Sequence, residues 1–232
     1  MRVAIFWILG ATLLGTGIGL RVSAGEPDSS PVEHEISYGK RTAKVWWMPP
    51  PAKKVTSRTP VIVVLPTYGY DERATQRLLR DPWVREAGER GYAVVAVGIA
   101  GINLYHDAQE FSPAFFEWLR KTSTHDASRV FLVGGGHGGM GVLYWATQFP
   151  KAFRALVGVP AGWTDDPEKL AALRGKPIWL MVGEQNESWL KSTRELETQL
   201  RKAKARVEVE IVPGPQQPPD PKKLCDWLDR QK

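Results

Sequence analysis

A single cysteine, Cys225, stands among the 232 residues. No disulfide can form within the chain, so core packing must supply its stability even in an oxidising compartment. With no cysteine just after the N-terminal apolar run, lipidation there is excluded. Cys225 itself is expected to sit as a small apolar side chain on the last helix. Charge of one sign is also scarce. The formal excess is +6, and two of its contributors, Arg2 and Arg21, lie in the N-terminal segment. The other basic residues are scattered, with small groups at Lys53-Lys54, Arg201 to Arg206 and Lys222-Lys223. Such scatter reads as solvated faces and argues against a nucleic-acid partner. No internal repeat is evident.

One long apolar run, Val3 to Leu20, follows Arg2 and precedes Val22-Ser23-Ala24. That pattern is a signal peptide over residues 1–24, cleaved after Ala24, which implies a secreted or periplasmic protein with no stable membrane span after cleavage. The alternative is an N-terminal membrane anchor, since about 18 apolar residues reach the lower limit for spanning a bilayer. Residues 25–34 read as a polar leader, and residues 35–232, within a chain that is 43% hydrophobic, as one domain with one sizeable core.

Two early strands are expected around Gly39-Lys40, ended by the three prolines at 49–51, which cannot continue a ladder. The runs "PVIVVLP" (60–66) and "GYAVVAV" (91–97) are continuous and β-branched, as strands buried on both faces are. With helices near 73–90, 110–121, 138–149, 188–203 and 220–231 and further strands at 129–134, 155–160, 177–182 and 206–212, strand and helix alternate. The fold class is therefore α/β, a mostly parallel twisted sheet with helices on both faces. Ligands of such sheets bind beyond the carboxyl ends of the strands. That rule selects the loops at 66–72, 98–109, 134–139, 160–166, 183–188 and 213–219.

Five glycines surround His137 in "GGGHGG" (134–139). Gly134, Gly136 and Gly139 satisfy the dinucleotide pattern G-x-G-x-x-G between a strand and a helix. However, the turn follows a late strand, no acid stands about 20 residues on, and the lysine and Ser/Thr of a phosphate-binding loop are missing. No cofactor is expected. The turn fits a nucleophile elbow, G-x-S-x-G, better, as Gly135 to Gly139 with His137 in place of serine.

On these residues, together with "VIVVLPTYGYDE", "KPIWLMVGEQNESW" and "VEVEIVPGPQQPPD", the chain from about residue 35 onward resembles the α/β-hydrolase family. It looks most like the small secreted esterases and the dienelactone-hydrolase-like or depolymerase-like members. The resemblance implies a Ser-Asp-His triad, but its positions carry His137, Asn186 and Gln217 (or Gln216). Histidine presents no hydroxyl, asparagine no charge, and glutamine cannot accept a proton near neutral pH. The oxyanion hole is implied at the backbone N–H groups of Tyr68, in Pro66-Thr67-Tyr68-Gly69, and Gly138. An elbow residue usually has positive φ, which for a residue with a Cβ costs about 1–3 kcal/mol.

The expectation is a catalytically degenerate hydrolase-fold protein that binds a small molecule or protein partner. The alternative is a carboxylesterase-like hydrolase using His137 with a carboxylate or metal, the candidates being Asp71, Glu72, His106, Asp107, Asp165, Asp166 and Glu184. Tyr70, His106, Trp163, Glu184 and Trp189 are expected at the edge of the binding site, with Tyr68 and Tyr105 among the aromatic residues there. Trp46-Trp47 face opposite sides of an early strand, so one ring is expected at the rim.

Overall fold

The computed structural model describes residues 30–67, 72–99, 103–122 and 125–232. The expected cleavage site, Tyr68, Tyr70 and Asp71 lie outside these residues. Among the described residues, no helix is long and apolar enough to cross a membrane.

Eight strands form one sheet: β1 (Val32–Tyr38), β2 (Arg41–Met48), β3 (Thr59–Leu65), β4 (Ala93–Val97), β5 (His125–Gly134), β6 (Ala155–Gly158), β7 (Pro177–Gly183) and β8 (Arg206–Val212). Their spatial order is β1-β2-β4-β3-β5-β6-β7-β8. β1 and β2 form an antiparallel hairpin, β2 meets β4 antiparallel, and every later pair is parallel. The helices are α1 (Glu72–Leu78), α2 (Pro82–Glu89), α3 (Leu104–Thr122), α4 (His137–Gln148), α5 (Glu187–Lys202) and α6 (Pro221–Asp229), with a 3-10 helix at Pro167–Leu173.

The strand runs are apolar throughout because both faces are covered. Along β3, Val61, Val63 and Leu65 point to one core with Phe111, Phe115 and Leu119 of α3, Trp145 of α4 and Leu196 of α5. Ile62 and Val64 point to the other, with Trp83 and Val84 of α2 and Leu224, Trp227 and Leu228 of α6. This is the period-two alternation of a strand serving two cores. Trp46 and Trp47 divide the same way and both are buried, so neither ring is at the rim. Trp118 of α3 lies edge-on to Trp47, closing the face expected to be open. Cys225 is buried on α6, as its apolar reading requires, and burial pushes its thiol up to about 12.

Several element boundaries differ from expectation for local reasons. The stretch 73–90 is two helices, because Pro82 disfavours helical backbone before it and Asp81 takes the N-cap position. β6 stops at Gly158, two residues before Pro160, which has no N–H for the ladder. The loop expected at 98–109 is half helix: α3 begins at Leu104 and carries its buried stripe through Asp107, Ala108, Phe111 and Phe115.

Candidate functional site

The turn between β5 and α4 holds its sharp bend at Gly136, with φ 56° and ψ −120°. His137 is the first residue of α4 and is exposed. The expected elbow register is therefore corrected by one residue: the positive-φ apex is Gly136, and the segment reads Gly134-Gly135-Gly136-His137-Gly138. Glycine removes the strain that histidine would carry there. The oxyanion assignment shifts with it. Gly138 N–H donates to Gly135 C=O at 2.8 Å and is taken within the turn, whereas the N–H following the apex belongs to His137.

Close packing dictates the glycines after the apex. A Cβ at Gly138 would lie 2.5 Å from the carbonyl oxygens of Leu65 and Pro66, and one at Gly139 would strike the carbonyl of Pro160. The N-terminus of α4 is thereby pressed against the ends of β3 and β6. Gly136 N–H donates to Pro160 C=O at 2.9 Å, which ties the apex to the loop after β6.

Beside the apex lies a pocket of about 330 Å³. Its wall comes from the carboxyl ends of five strands: Thr67 after β3, Gly135 and Gly136 after β5, Val159 and Pro160 after β6, Asn186 after β7, and Gln216 to Pro219 after β8. Trp83 and Trp189 complete it. The structure thus gathers Gly136, Asn186 and Gln217 at one recess. Asn186 occupies the N-cap of α5 without a side-chain capping bond. Gln216 is fixed instead: its Oε1 accepts from Gly183 N–H at 3.0 Å, and its Nε2 donates to Gln217 C=O at 2.9 Å. Gln217 is exposed and Gln216 half-buried. Among the described residues, no acid, base, serine or cysteine lines this pocket.

The other expected edge residues are dispersed. Trp189 belongs to the pocket and lies edge-on to the His137 ring at 6.5 Å. Glu184 is outside it, with Oε1 accepting Gly214 N–H at 3.1 Å between the loops after β7 and β8. Trp163 lies in a separate recess against Tyr144, and exposed His106 packs edge-on to Tyr105 at 4.7 Å.

The described candidate carboxylates are engaged elsewhere. Glu72 pairs with Lys44 at 2.8 Å, and buried Asp107 with Arg41 at 2.7 Å. Asp165 pairs with Lys169 at 2.5 Å, and Asp166 caps the 3-10 helix through Glu168 N–H at 2.9 Å. Among the described residues, no group of three His, Cys, Asp or Glu side chains is placed to hold a metal ion. Residue types at suitable loops suggested these groupings; only long-range pairing, such as Asp107 with Arg41, shows that they are separate.

No family model matches the sequence, and no curated protein does. Solved structures do. A thermostable esterase superposes with a TM-score of 0.66 at 17% identity, over 88% of this chain and 63% of its own. An enterobactin esterase from Shigella flexneri, solved with enterobactin, gives 0.65 at 17% identity, over 89% and 58%. The esterase Est22 gives 0.61 at 14% identity, over 79% and 72%. This chain spans less than two thirds of the length of the first two. At these identities the likeness concerns the fold, which is that of the α/β-hydrolases.

Proposed function

We propose that this α/β-hydrolase-fold protein binds a small uncharged molecule in the pocket beside Gly136 and does not hydrolyse it by a serine mechanism. One observation carries the reading: the apex, where the fold's nucleophile would stand, is a glycine, and the described pocket wall offers amides, one threonine hydroxyl, aromatic rings and prolines but no ionisable partner. An exposed threonine hydroxyl without a neighbouring base is a poor nucleophile at neutral pH. The amides of Asn186 and Gln217 each offer donors and an acceptor, which suits a ligand with both kinds of group. A charged ligand would lose hydration against Trp83, Trp189 and the prolines without gaining a counter-charge. The degenerate site expected from the residue types is kept, with Gly136 in place of His137 as the nucleophile position.

The esterase neighbours favour a second reading, hydrolysis through His137. That residue immediately follows the apex, but it would need a carboxylate or metal to orient it, and the described carboxylates proposed for that task already have partners. The test is hydrolysis of short-chain p-nitrophenyl esters by residues 25–232, beside His137→Ala, together with labelling by a fluorophosphonate. Background rates in both proteins and no stoichiometric label are expected. Turnover that disappears in His137→Ala, or rapid labelling within the pocket, would overturn the binding-only reading.

A further inference from the structure

The segment after β6 serves two recesses. Val159 and Pro160 face the pocket, whereas Trp163 and Asp165 line a second recess of about 440 Å³ with Tyr105, Tyr144, Gln148 and Lys169. The walls of this second recess are fixed. Tyr144 Oη and Thr164 Oγ1 share a hydrogen bond of 2.7 Å, and the Trp163 indole N–H donates to Asp166 C=O at 3.1 Å. The Gln148 amide donates to the carbonyls of Leu104 and Tyr144 and accepts from Gln109, so it is taken.

What else the recess offers is aromatic surface and the Asp165 carboxylate, whose Oδ1 accepts from Asp166 N–H at 2.7 Å and whose Oδ2 faces Lys169. The Tyr105 and Tyr144 centroids are 5.1 Å apart at 74°, and those of Tyr144 and Trp163 are 5.1 Å apart at 47°. Rings meeting at such angles make a corner, not a flat platform for stacking a planar ligand. In that corner lies an ammonium group: Lys169 Nζ is 5.3 Å from the Tyr105 centroid and 2.5 Å from Asp165 Oδ2. A ring face with a carboxylate beside it is the environment that holds an ammonium, through the ring quadrupole and a charge-assisted hydrogen bond. The lysine is the soft part of the assembly. Its side chain is 51% exposed and hangs from the 3-10 helix on a flexible stem.

We propose that this recess is a binding site for an organic ammonium group, in which the Lys169 side chain is a tethered occupant that the ligand displaces. While Lys169 is in place, its hydrogen bond holds the Asp165 carboxyl below its usual range. A tethered occupant lowers the apparent affinity of a free ligand by the fraction of time the slot is filled. Removing it should therefore strengthen binding, the opposite of what losing a contact does.

The experiment titrates residues 25–232 with n-butylammonium chloride, the lysine side chain freed from its tether, against sodium chloride at matched ionic strength. The Trp163 indole NMR signal is followed in wild type, Lys169→Ala, and Lys169→Ala combined with Asp165→Asn or Tyr105→Leu. Lys169→Ala should show a saturable shift with affinity about 10-fold above wild type, absent with sodium chloride. Each second substitution should then weaken it about 10-fold. The dispersion of the indole signals in the same spectra confirms that each variant is folded. No saturable shift in Lys169→Ala, equal affinity with and without Lys169, or indifference to Asp165→Asn would each overturn the proposal.

Discussion

Helix α2 joins two regions that treat charge in opposite ways. Its Trp83 enters the pocket, where amides and rings line the carboxyl ends of the strands. At its other end Arg90 is bound to Glu86 at 2.7 Å, Asp226 at 2.6 Å and Asp229 at 2.8 Å. Tyr92 Oη donates to Asp229 at 2.9 Å, and Lys232 pairs with the same carboxylate and lies over the Tyr92 ring. Charge is spread over this molecule, and one dense ion-pair network lies on the seam that fastens α6 to α2, whereas the described residues lining the pocket include no charged side chain. Ion-pair networks of this kind hold elements in place, whereas a catalytic site needs ionisable groups left available to a substrate. The contrast separates a scaffold fastened by ion pairs from a pocket whose described lining is uncharged.

Trp83→Ala should have the largest effect, because this one ring packs the core and lines the pocket. A loss of about 3–5 kcal/mol is expected in urea denaturation. A loss below about 1 kcal/mol would mean that the pocket wall is not part of the core. Arg90→Ala should come next, lowering Tm by about 5 °C through the partners it leaves without their cation. Native Cys225, buried beneath this seam, should resist a disulfide-exchange reagent until the protein unfolds.

The seam also has a pH signature. Burial alone would raise the Asp229 carboxyl, but its bonds to Lys232, Arg90 and Tyr92 outweigh burial and hold it below its ordinary 3.8. A group depressed in the folded state stabilises above its unfolded value, and that contribution is lost as pH falls through the folded one. Thermal melts of wild type and Asp229→Asn should therefore differ most above pH 4 or so and converge below 3.8. A gap that stays constant down to pH 2 or so would remove the charge from the account of the seam. The smallest effect is expected at the pocket amides. Asn186→Ala and Gln217→Ala should change stability by no more than about 0.5 kcal/mol while weakening any ligand found for the pocket. Larger losses would make the amides part of the scaffold and blur the comparison.

Much of this frame is legible in the chain. The β-branched runs at 60–66 and 91–97 announce strands buried on both faces, and the loops after five of the strands do meet at one recess. The apex was not legible, for a definite reason: with glycines on both sides of His137, two registers of G-x-x-x-G fit the same letters, and only the φ of Gly136 distinguishes them. The grouping of His106, Trp163 and Glu184 with the pocket failed for another. Loops at one end of a sheet share a neighbourhood but not a recess, and hydrogen bonds such as Glu184 to Gly214 decide which way a side chain turns.

The residue types alone set which functional groups exist at these positions: a turn without serine, an asparagine and three glutamines on the loops that follow β7 and β8, and one cysteine without a second to pair with. No fold can add a hydroxyl or a carboxylate that the residues lack. Which groups share space came from long-range packing. It set Gly136 at the apex, turned Asp107 inward to Arg41 and laid Lys169 between Tyr105 and Asp165. The pairing of Asp107 with Arg41 spans 66 residues of chain. Such positions come from packing between elements remote in sequence, which local residue patterns do not encode.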